Sequence, residues 1–239
     1  MPEPSFDSSR PRRDSLRMSP HSGKPSGAPS VAIVDYGLGN LFSVKHACEQ
    51  AGLRSSITAS AKEIEAADAV ILPGVGAFGD AMETLNRLGL VPVLKDVAAS
   101  GRPLVGVCLG MQLLMSQSAE FGQHQGLGLI DGDVVRFETT RKVPQVGCNR
   151  IWKGERSWEQ SWLDGLDDGT YMYFVHSFYA RPADPRVVLS TSRYGDIEFC
   201  SSLRQGNVFA SQFHPERSGM WGLQMYRNIA AQLTEVQRV

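Results

Sequence analysis

Short aliphatic runs alternate with segments of helical spacing in the first half of the chain. The runs are VAIVD (31–35), AVILP (69–73) and RPLVGVC (102–108). Unbroken apolar runs of this length are typical of strands buried on both faces of a parallel sheet. Hydrophobic residues at helical spacing predict helices over residues 41–50, 80–88, 93–99 and, in LGMQLLMSQS, 109–118. Strand, turn and helix in succession predict an α/β domain with a parallel sheet.

The second half of the chain carries mainly strand patterns. They are VVRF (134–137), YMYFV (171–175), RVVLSTS (186–192), IEFCSSL (197–203) and VFASQF (208–213). Few helical patterns intervene, so we expect antiparallel hairpins that extend or flank the sheet. A final amphipathic helix is predicted over residues 219–233, with Leu223, Tyr226, Ile229 and Ala230 on its apolar face. The predicted fold is α/β, with a mostly parallel central sheet, flanking helices and added hairpins.

Residues 1–30 differ in composition from the rest of the chain. They are dense in Ser, Pro, Gly and Arg and contain few large apolar side chains. Such a segment cannot bury enough surface to offset the entropy lost on ordering, so we predict a disordered tail. Glu3, Asp7 and Asp14 argue against an organelle transit peptide, which is poor in acidic residues. Residues 31–239 are predicted to form one domain.

Charge and cysteine content narrow the class of protein. The formal net charge of -1 favours neither nucleic acid nor an anionic membrane as a partner. The four cysteines are scattered, without the spacing of a zinc site, so we expect no metal, no other cofactor and reduced thiols in a cytoplasmic protein. No apolar stretch is long enough to predict a membrane span.

The segment Gly106-Val107-Cys108-Leu109-Gly110 carries the clearest chemical signal. A predicted buried strand enters this G-x-C-x-G and a predicted helix leaves it, which is the setting of a nucleophile elbow. The glycines permit a tight turn, and the helix N-terminus favours a thiolate. An isolated cysteine is more often a small buried residue, but this setting favours a nucleophile. The amide of Leu109 is a candidate oxyanion donor.

A base and an orienting carboxylate follow another core strand. His214-Pro215-Glu216 comes directly after VFASQF, and catalytic groups of α/β sheets gather at the carboxyl ends of strands. His214 would take or share the thiol proton, and Glu216 would hold its ring in the productive tautomer. Of the other histidines, His176 after YMYFV is the only serious competitor for the role of base.

The loop Pro73-Gly74-Val75-Gly76 follows the run AVILP, again at the carboxyl end of a predicted strand. Glycines allow a backbone N–H to approach a ligand, so Val75 or Gly76 is a candidate for the second oxyanion donor. A glycine-rich turn without a ligand explains the same residues equally well.

The segments VDYGLGNLFSV, PGVGAFGDAM, GVCLGMQLL, YFVHSF and QFHPERSG together resemble the class I glutamine amidotransferases. Within that family they are most similar to the glutaminase subunits of imidazole glycerol phosphate synthase. The resemblance implies a flavodoxin-like fold and hydrolysis of L-glutamine to glutamate and ammonia. Cys108 would form a glutamyl thioester and His214 would protonate the departing ammonia.

The same resemblance implies further roles for individual residues. Val75 and Leu109 would form the oxyanion hole. Glutamine would be bound by Gly74, Gln112, His176, Ser177 and Phe178. The implied partner is a (β/α)₈ cyclase that forms a heterodimer with the glutaminase and receives ammonia through an internal tunnel. Arg217 and Asn149 would lie at that interface.

One segment departs from the family pattern. Where the family usually carries P-H-M-G-W-N, this chain has Pro144-Gln145-Val146-Gly147-Cys148-Asn149. A large aromatic interface anchor is therefore missing, and a glutaminase that serves a different acceptor, such as a sugar-modifying enzyme, is an alternative. A catalytically silent regulatory subunit and a cysteine peptidase are further alternatives.

Overall fold

The computed structural model describes residues 27–238, and the side chains of residues 27–235. The tail predicted over residues 1–30 therefore lies largely outside the described residues. Ser30, which we assigned to that tail, is the first residue of a strand, and its hydroxyl donates to the Asp68 carboxylate at 2.7 Å.

Fourteen strands and six α-helices make up the described chain. In chain order they are β1 (Ser30–Val34), α1 (Leu41–Gln50), β2 (Arg54–Thr58), α2 (Ala61–Ala66), β3 (Ala69–Gly74), α3 (Phe78–Arg87), α4 (Leu90–Ala99), β4 (Leu104–Cys108), α5 (Leu109–Leu113), β5 (Met115–Ser118), β6 (His124–Gln125), β7 (Ile130–Arg136), β8 (Gln145–Arg150), β9 (Trp152–Lys153), β10 (Tyr171–His176), β11 (Phe178–Pro182), β12 (Val188–Tyr194), β13 (Ile197–Gln205), β14 (Val208–Ser211) and α6 (Gly219–Arg238).

An eight-stranded sheet of order β2-β1-β3-β4-β14-β13-β12-β9 forms the centre of the molecule. The strands from β2 to β14 in that order pair in parallel, and those from β14 to β9 pair antiparallel. Every residue of β3 and β4 is buried, as expected of central strands covered on both faces. The predicted α/β fold with a parallel centre and added hairpins is confirmed.

The core divides into two clusters, one on each face of the sheet. Val70 and Leu72 of β3 belong to one cluster, and Ala69 and Ile71 belong to the other. This division follows from the two-residue period of side chains along a strand. Because β3, β4 and β14 run parallel to one another, their carboxyl ends lie at the same edge of the sheet.

Two smaller sheets lie beside the central one. The first has the order β11-β7-β5-β6, and the second pairs β10 with β8 antiparallel. Among residues 27–238, none of the helices combines the length and apolar character that a membrane crossing requires.

The helix predicted over residues 109–118 is wrong in its second half. The α5 helix ends at Leu113, and Met115–Ser118 forms β5, which pairs with β7 in parallel and with β6 antiparallel. All five residues of α5 are buried, so its hydrophobic run reflects complete enclosure rather than a longer amphipathic helix. Pairing with distant strands outweighs the local helical pattern.

The strand β2 and the helix α2 were not predicted from the sequence. The β2 segment, RSSIT, lies at the edge of the central sheet and pairs only with β1 there. An edge strand with polar side chains lacks the apolar run that marked the central strands. The short α2 buries only Ile64, which is too little for a clear helical pattern.

Candidate active site

Cys108 is the last residue of β4 and directly precedes α5. Its backbone has φ 54° and ψ -108°, a region that residues with a side chain rarely adopt. Strain of this kind persists only where the surroundings impose it, and it clusters at functional sites. The predicted sharp turn at Cys108 is therefore present.

Close packing explains the glycines on both sides of Cys108. A Cβ at Gly106 would lie 2.8 Å from the carbonyl oxygen of Gly110. A Cβ at Gly110 would overlap the carbonyl oxygen of Leu72 in β3. Only glycine lets α5 lie directly against β3 and β4, and this contact holds the turn in place.

His214 and Glu216 form a buried pair beside the end of β14. Nδ1 of His214 lies 2.8 Å from Oε1 of Glu216, and their side chains are 4% and 1% exposed. The 3₁₀ turn Pro215–Arg217 brings the carboxylate back to the ring. The amide of His214 donates to the carbonyl of Tyr173 in β10, which fixes the turn to the second sheet.

The charge state of His214 depends on Cys108. Burial by itself lowers the pKa of His214, but the Cys108 thiolate and then Glu216 outweigh it and raise the pKa to about 10. An imidazolium beside a thiolate is the charged form of a cysteine–histidine pair. The other ring nitrogen, Nε2, is buried and makes no hydrogen bond of standard geometry, although the Cys108 thiolate also favours its proton electrostatically.

A cavity of about 260 Å³ opens beside Cys108. Its walls include seven further residues that the sequence singled out: Val75, Gly76, Leu109, Gln112, His176, Ser177 and Phe178. Three larger clefts, of about 910, 620 and 570 Å³, do not contain Cys108. We regard the smaller cavity as the candidate site because it alone among these four contains the thiol.

Gly74 and His214 are not among the residues that line this cavity. Gly74 lies behind the wall, where a Cβ would overlap the hydroxyl of Tyr36. That hydroxyl donates to the carbonyl of Pro73 at 2.7 Å, so Gly74 is needed for the close approach of Tyr36.

Gln112 and Gln212 connect the cavity wall to the thiol. The Gln112 amide donates to the Phe178 carbonyl at 2.9 Å and to Oε1 of Gln212 at 3.1 Å. Nε2 of Gln212 lies 3.7 Å from Sγ of Cys108, within hydrogen-bond range for sulfur. A donor to the sulfur stabilises its anionic form.

His176 is not placed to act as the base. Its Nδ1 lies 2.8 Å from the Phe178 carbonyl, and its ring packs against Phe137, Phe174 and Phe199. Burial lowers the pKa of His176 to about 4, so the ring is neutral at physiological pH. His214, which has a carboxylate partner, is the better candidate.

Comparison with known proteins decides the family. The model of the family "Glutamine amidotransferase class-I" matches residues 32–232. The chain belongs to the class I glutamine amidotransferase family. It is 47% identical over 208 residues to "Imidazole glycerol phosphate synthase subunit HisH" of Rhodopirellula baltica, covering 86% of this chain and 99% of the relative. The protein of the same name from Aquifex aeolicus is 43% identical, covering 83% and 94%.

Solved structures agree with the fold of this amidotransferase. PurLQS from Thermotoga maritima aligns with a TM-score of 0.68 at 20% identity, covering 86% of this chain and 99% of that one. The crystal structure of a glutamine amidotransferase aligns with a TM-score of 0.64 at 22% identity, covering 87% of this chain and 99% of that one. At such identities the likeness supports the fold alone.

Two residues at the amidotransferase site were missed from the sequence. Glu120 lines the cavity and accepts a hydrogen bond from the amide of Phe78 at 2.7 Å. It lies in a loop, AEFGQ, that carries no recognisable motif. Gln212 stands two residues before His214 within QFHPE, and its proximity to that histidine was a signal that could have drawn attention to it.

The two residues predicted for a partner interface differ in their surroundings. Arg217 is exposed, and its guanidinium lies 4.2 Å from the ring centroid of Tyr173. Asn149 is half-buried, and its side chain donates to the Arg193 carbonyl at 2.9 Å. Cys148, which pairs with Tyr173 across β8 and β10, is exposed next to Asn149.

Proposed function

We propose that this amidotransferase hydrolyses L-glutamine to glutamate and ammonia with Cys108 as nucleophile. One observation carries the proposal: a thiol at a strained strand-to-helix turn opens into a cavity and is coupled electrostatically to a buried His214–Glu216 pair. Nucleophile, base and orienting group are the parts that acyl transfer requires.

In the first half of the reaction, the Cys108 thiolate attacks the side-chain amide carbon of glutamine. The carbonyl oxygen becomes an oxyanion, for which the amides of Leu109 and of Val75 or Gly76 are the candidate donors. Leu109 is the first residue of α5, so its N–H has no partner within the helix. His214 gives its proton to the leaving nitrogen, the C–N bond breaks, and ammonia departs from a glutamyl thioester.

In the second half, water replaces ammonia. Neutral His214 takes a proton from the water, whose oxygen attacks the thioester carbon. The C–S bond then breaks to release glutamate and restore the thiolate and the imidazolium. Glu216 keeps Nδ1 of His214 occupied throughout, so Nε2 is the nitrogen that exchanges protons.

Glutamine recognition is assigned to the remaining cavity residues. Gln112, His176, Ser177 and Phe178 form the wall, and Glu120 adds a carboxylate to it. The α-ammonium group of glutamine is a cation, so Glu120 is its natural counterion. This set distinguishes glutamine from a peptide, whose α-nitrogen carries no charge.

We infer further that the ammonia is delivered to a (β/α)₈ cyclase in histidine biosynthesis, in the cytoplasm. The support is the similarity to relatives named as subunits of imidazole glycerol phosphate synthase, which covers nearly their full length. An exposed face close to the triad suits docking: Arg217, Tyr173, Cys148 and Val146 lie on neighbouring segments there. We name these four residues the docking face. Asn149 adjoins it through β8.

A different ammonia acceptor remains the second candidate. Cys148 offers the docking face a small thiol where the family usually has a large aromatic side chain, and Gln145, a buried residue of the same strand, replaces a histidine. A binding surface that loses its aromatic anchor commonly loses affinity for the original partner.

The test compares wild type and Cys108→Ala, each mixed with the candidate cyclase and its acceptor. We expect Cys108→Ala to lower glutamine-dependent synthesis by at least about 10⁴-fold and to leave synthesis from free ammonia intact. The matched control Cys200→Ala changes another buried thiol and should keep both activities. The proposal would be contradicted if the cyclase failed to stimulate glutamine hydrolysis. It would also be contradicted if Cys108→Ala retained glutamine-dependent synthesis.

A further inference from the structure

Two buried acceptor atoms lie on neighbouring strands beside the cavity, and neither has a partner. They are Oε1 of Gln145 in β8 and Nε2 of His176 in β10. Gln145 is 3% exposed and His176 is 6% exposed, so water does not readily satisfy them. A buried polar atom without a partner destabilises the fold, so most buried polar atoms in native proteins have one.

The tautomer of His176 is fixed by its surroundings. A carbonyl oxygen can only accept, so the 2.8 Å contact between Nδ1 and the Phe178 carbonyl places the proton on Nδ1. Because the ring is neutral, Nε2 carries a lone pair and needs a donor. Among the residues that the structure describes, none donates to it.

Gln145 is the residue placed to supply that donor. Gln145 and His176 are direct partners in the antiparallel pairing of β8 with β10 and are buried on the same face. The Cβ atoms of such partners lie about 4.5–5.5 Å apart. Nε2 of His176 and the Gln145 amide do not hydrogen-bond to each other directly, so a change in the side-chain torsions of Gln145 would turn its NH₂ group toward Nε2. Among residues 27–235 none donates to Oε1 of Gln145, so this change breaks no hydrogen bond to that oxygen.

We propose that Gln145 is a positioning residue that donates its side-chain N–H to Nε2 of His176 and holds that ring neutral in the cavity wall. The inference rests on the glutaminase function proposed above and deepens it. The pair would complete a continuous polar chain. From Gln145 it passes through His176 to the Phe178 carbonyl, then through Gln112 and Gln212 to the Cys108 sulfur.

Keeping His176 neutral matters because a second imidazole stands nearby. His214 carries a positive charge, and its field adds to burial in lowering the pKa of His176. A donor at Nε2 binds only the neutral ring, so it favours the same state. With His176 neutral, His214 is the one imidazolium near the thiolate among residues 27–235.

Two variants of the full chain separate this role from simple packing. Gln145→Met keeps the length of the side chain and removes both donor and acceptor. Gln145→Glu keeps the shape of the side chain but replaces the NH₂ donor with a carboxylate oxygen, which can only accept. A hydrogen bond to His176 then requires a proton on Nε2. Gln125→Met makes the first change at an exposed position of β6 and serves as the control. The readouts are the ¹⁵N resonance and pKa of His176 by NMR, and kcat and KM for glutamine with the partner present.

In Gln145→Met we expect the Nε2 resonance to move to that of a nitrogen without a hydrogen bond, with KM raised several-fold and kcat changed less. In Gln145→Glu the pKa of His176 should rise and KM should rise further. An unchanged Nε2 resonance in Gln145→Met would show that Gln145 does not donate to His176. This variant alone tests the proposed hydrogen bond, even if Gln145→Glu does not fold. The NMR readout needs no activity, so loss of the pairing is distinguishable from failure of the proposed glutaminase function.

Discussion

At the scale of single residues, two histidines near one thiol differ in protonation: His214 is positively charged and His176 is neutral. His214 has a carboxylate on one side and the Cys108 thiolate on the other, and its pKa rises to about 10. His176 has a carbonyl and three phenylalanine rings around it, and its pKa falls to about 4. Burial lowers the pKa of both rings, so the difference comes from their charged neighbours: two anions beside His214, and the His214 imidazolium near His176.

Removing the thiolate should therefore lower the pKa of His214. In Cys108→Ala only Glu216 opposes burial, so we expect the ¹⁵N titration of His214 to move below pH 10. In wild type the folded pKa exceeds the unfolded value of about 6.5. The protonated ring therefore contributes its full stabilisation to the fold below about pH 6.5, the unfolded pKa. This contribution is lost as the pH rises through the folded pKa of about 10.

The control for this titration is Cys200→Ala. Burial raises the pKa of Cys200 to about 12, so its thiol is neutral at physiological pH and its removal should leave His214 unchanged. Equal titration of His214 in wild type and Cys108→Ala would show that the sulfur does not determine the charge of the ring.

Glu120→Gln tests the proposed recognition of the α-ammonium group. Glutamine at position 120 can still accept from the Phe78 amide but carries no charge, so we expect KM for L-glutamine to rise about 10-fold, or about 1.4 kcal/mol, with kcat nearly unchanged. The control Glu138→Gln removes an exposed carboxylate from the adjacent larger cleft. Equal KM values for Glu120→Gln and wild type would remove Glu120 from substrate binding.

At the scale of elements, the active site depends on how closely α5 lies against β3 and β4. The helix is only one turn long and is entirely buried, so tertiary packing rather than helix propensity stabilises it. Gly106 and Gly110 provide the space for that contact, and the contact in turn imposes the strained backbone of Cys108.

Gly110→Ala should be strongly destabilising, because the new methyl group would overlap the Leu72 carbonyl. We expect the free energy of unfolding to fall by about 3 kcal/mol or more in urea denaturation. Gly52→Ala is the comparison: its Cβ meets nothing within 4 Å, and only its φ of 83° is unfavourable. That strain costs about 1 kcal/mol. Similar losses in the two variants would refute the close-packing explanation.

At the scale of the whole molecule, parallel strand pairing gathers the chemistry at one edge. The strands β3, β4 and β14 end side by side, although Gly74, Cys108 and Ser211 are far apart in sequence. The small β8–β10 sheet carries part of the cavity wall, through Val175 and His176, and three of the four residues of the docking face. Val146 is 61% exposed although it is a strand residue, which is typical of a surface that a partner covers.

Val146→Glu should weaken the complex with the cyclase without affecting the isolated chain. A charge in an apolar contact must be desolvated, so we expect Kd to rise at least about 10-fold. The thermal midpoint of the free protein should not change, because Val146 is exposed. The control Leu88→Glu alters an exposed residue just after α3 that does not belong to the docking face. Equal Kd values for both variants and wild type would place the interface elsewhere.

The sequence by itself determined the central strands, the elbow at Cys108 and the His214-Pro215-Glu216 segment. These features are local: buried runs, glycines beside a turn and residues at a strand end leave a signal within a few positions. Tertiary structure alone decided that β5 is a strand, that Glu120 enters the cavity and that Gln145 stands opposite His176. Each of these depends on pairing between residues distant along the chain, and such contacts leave no periodic pattern in a single sequence.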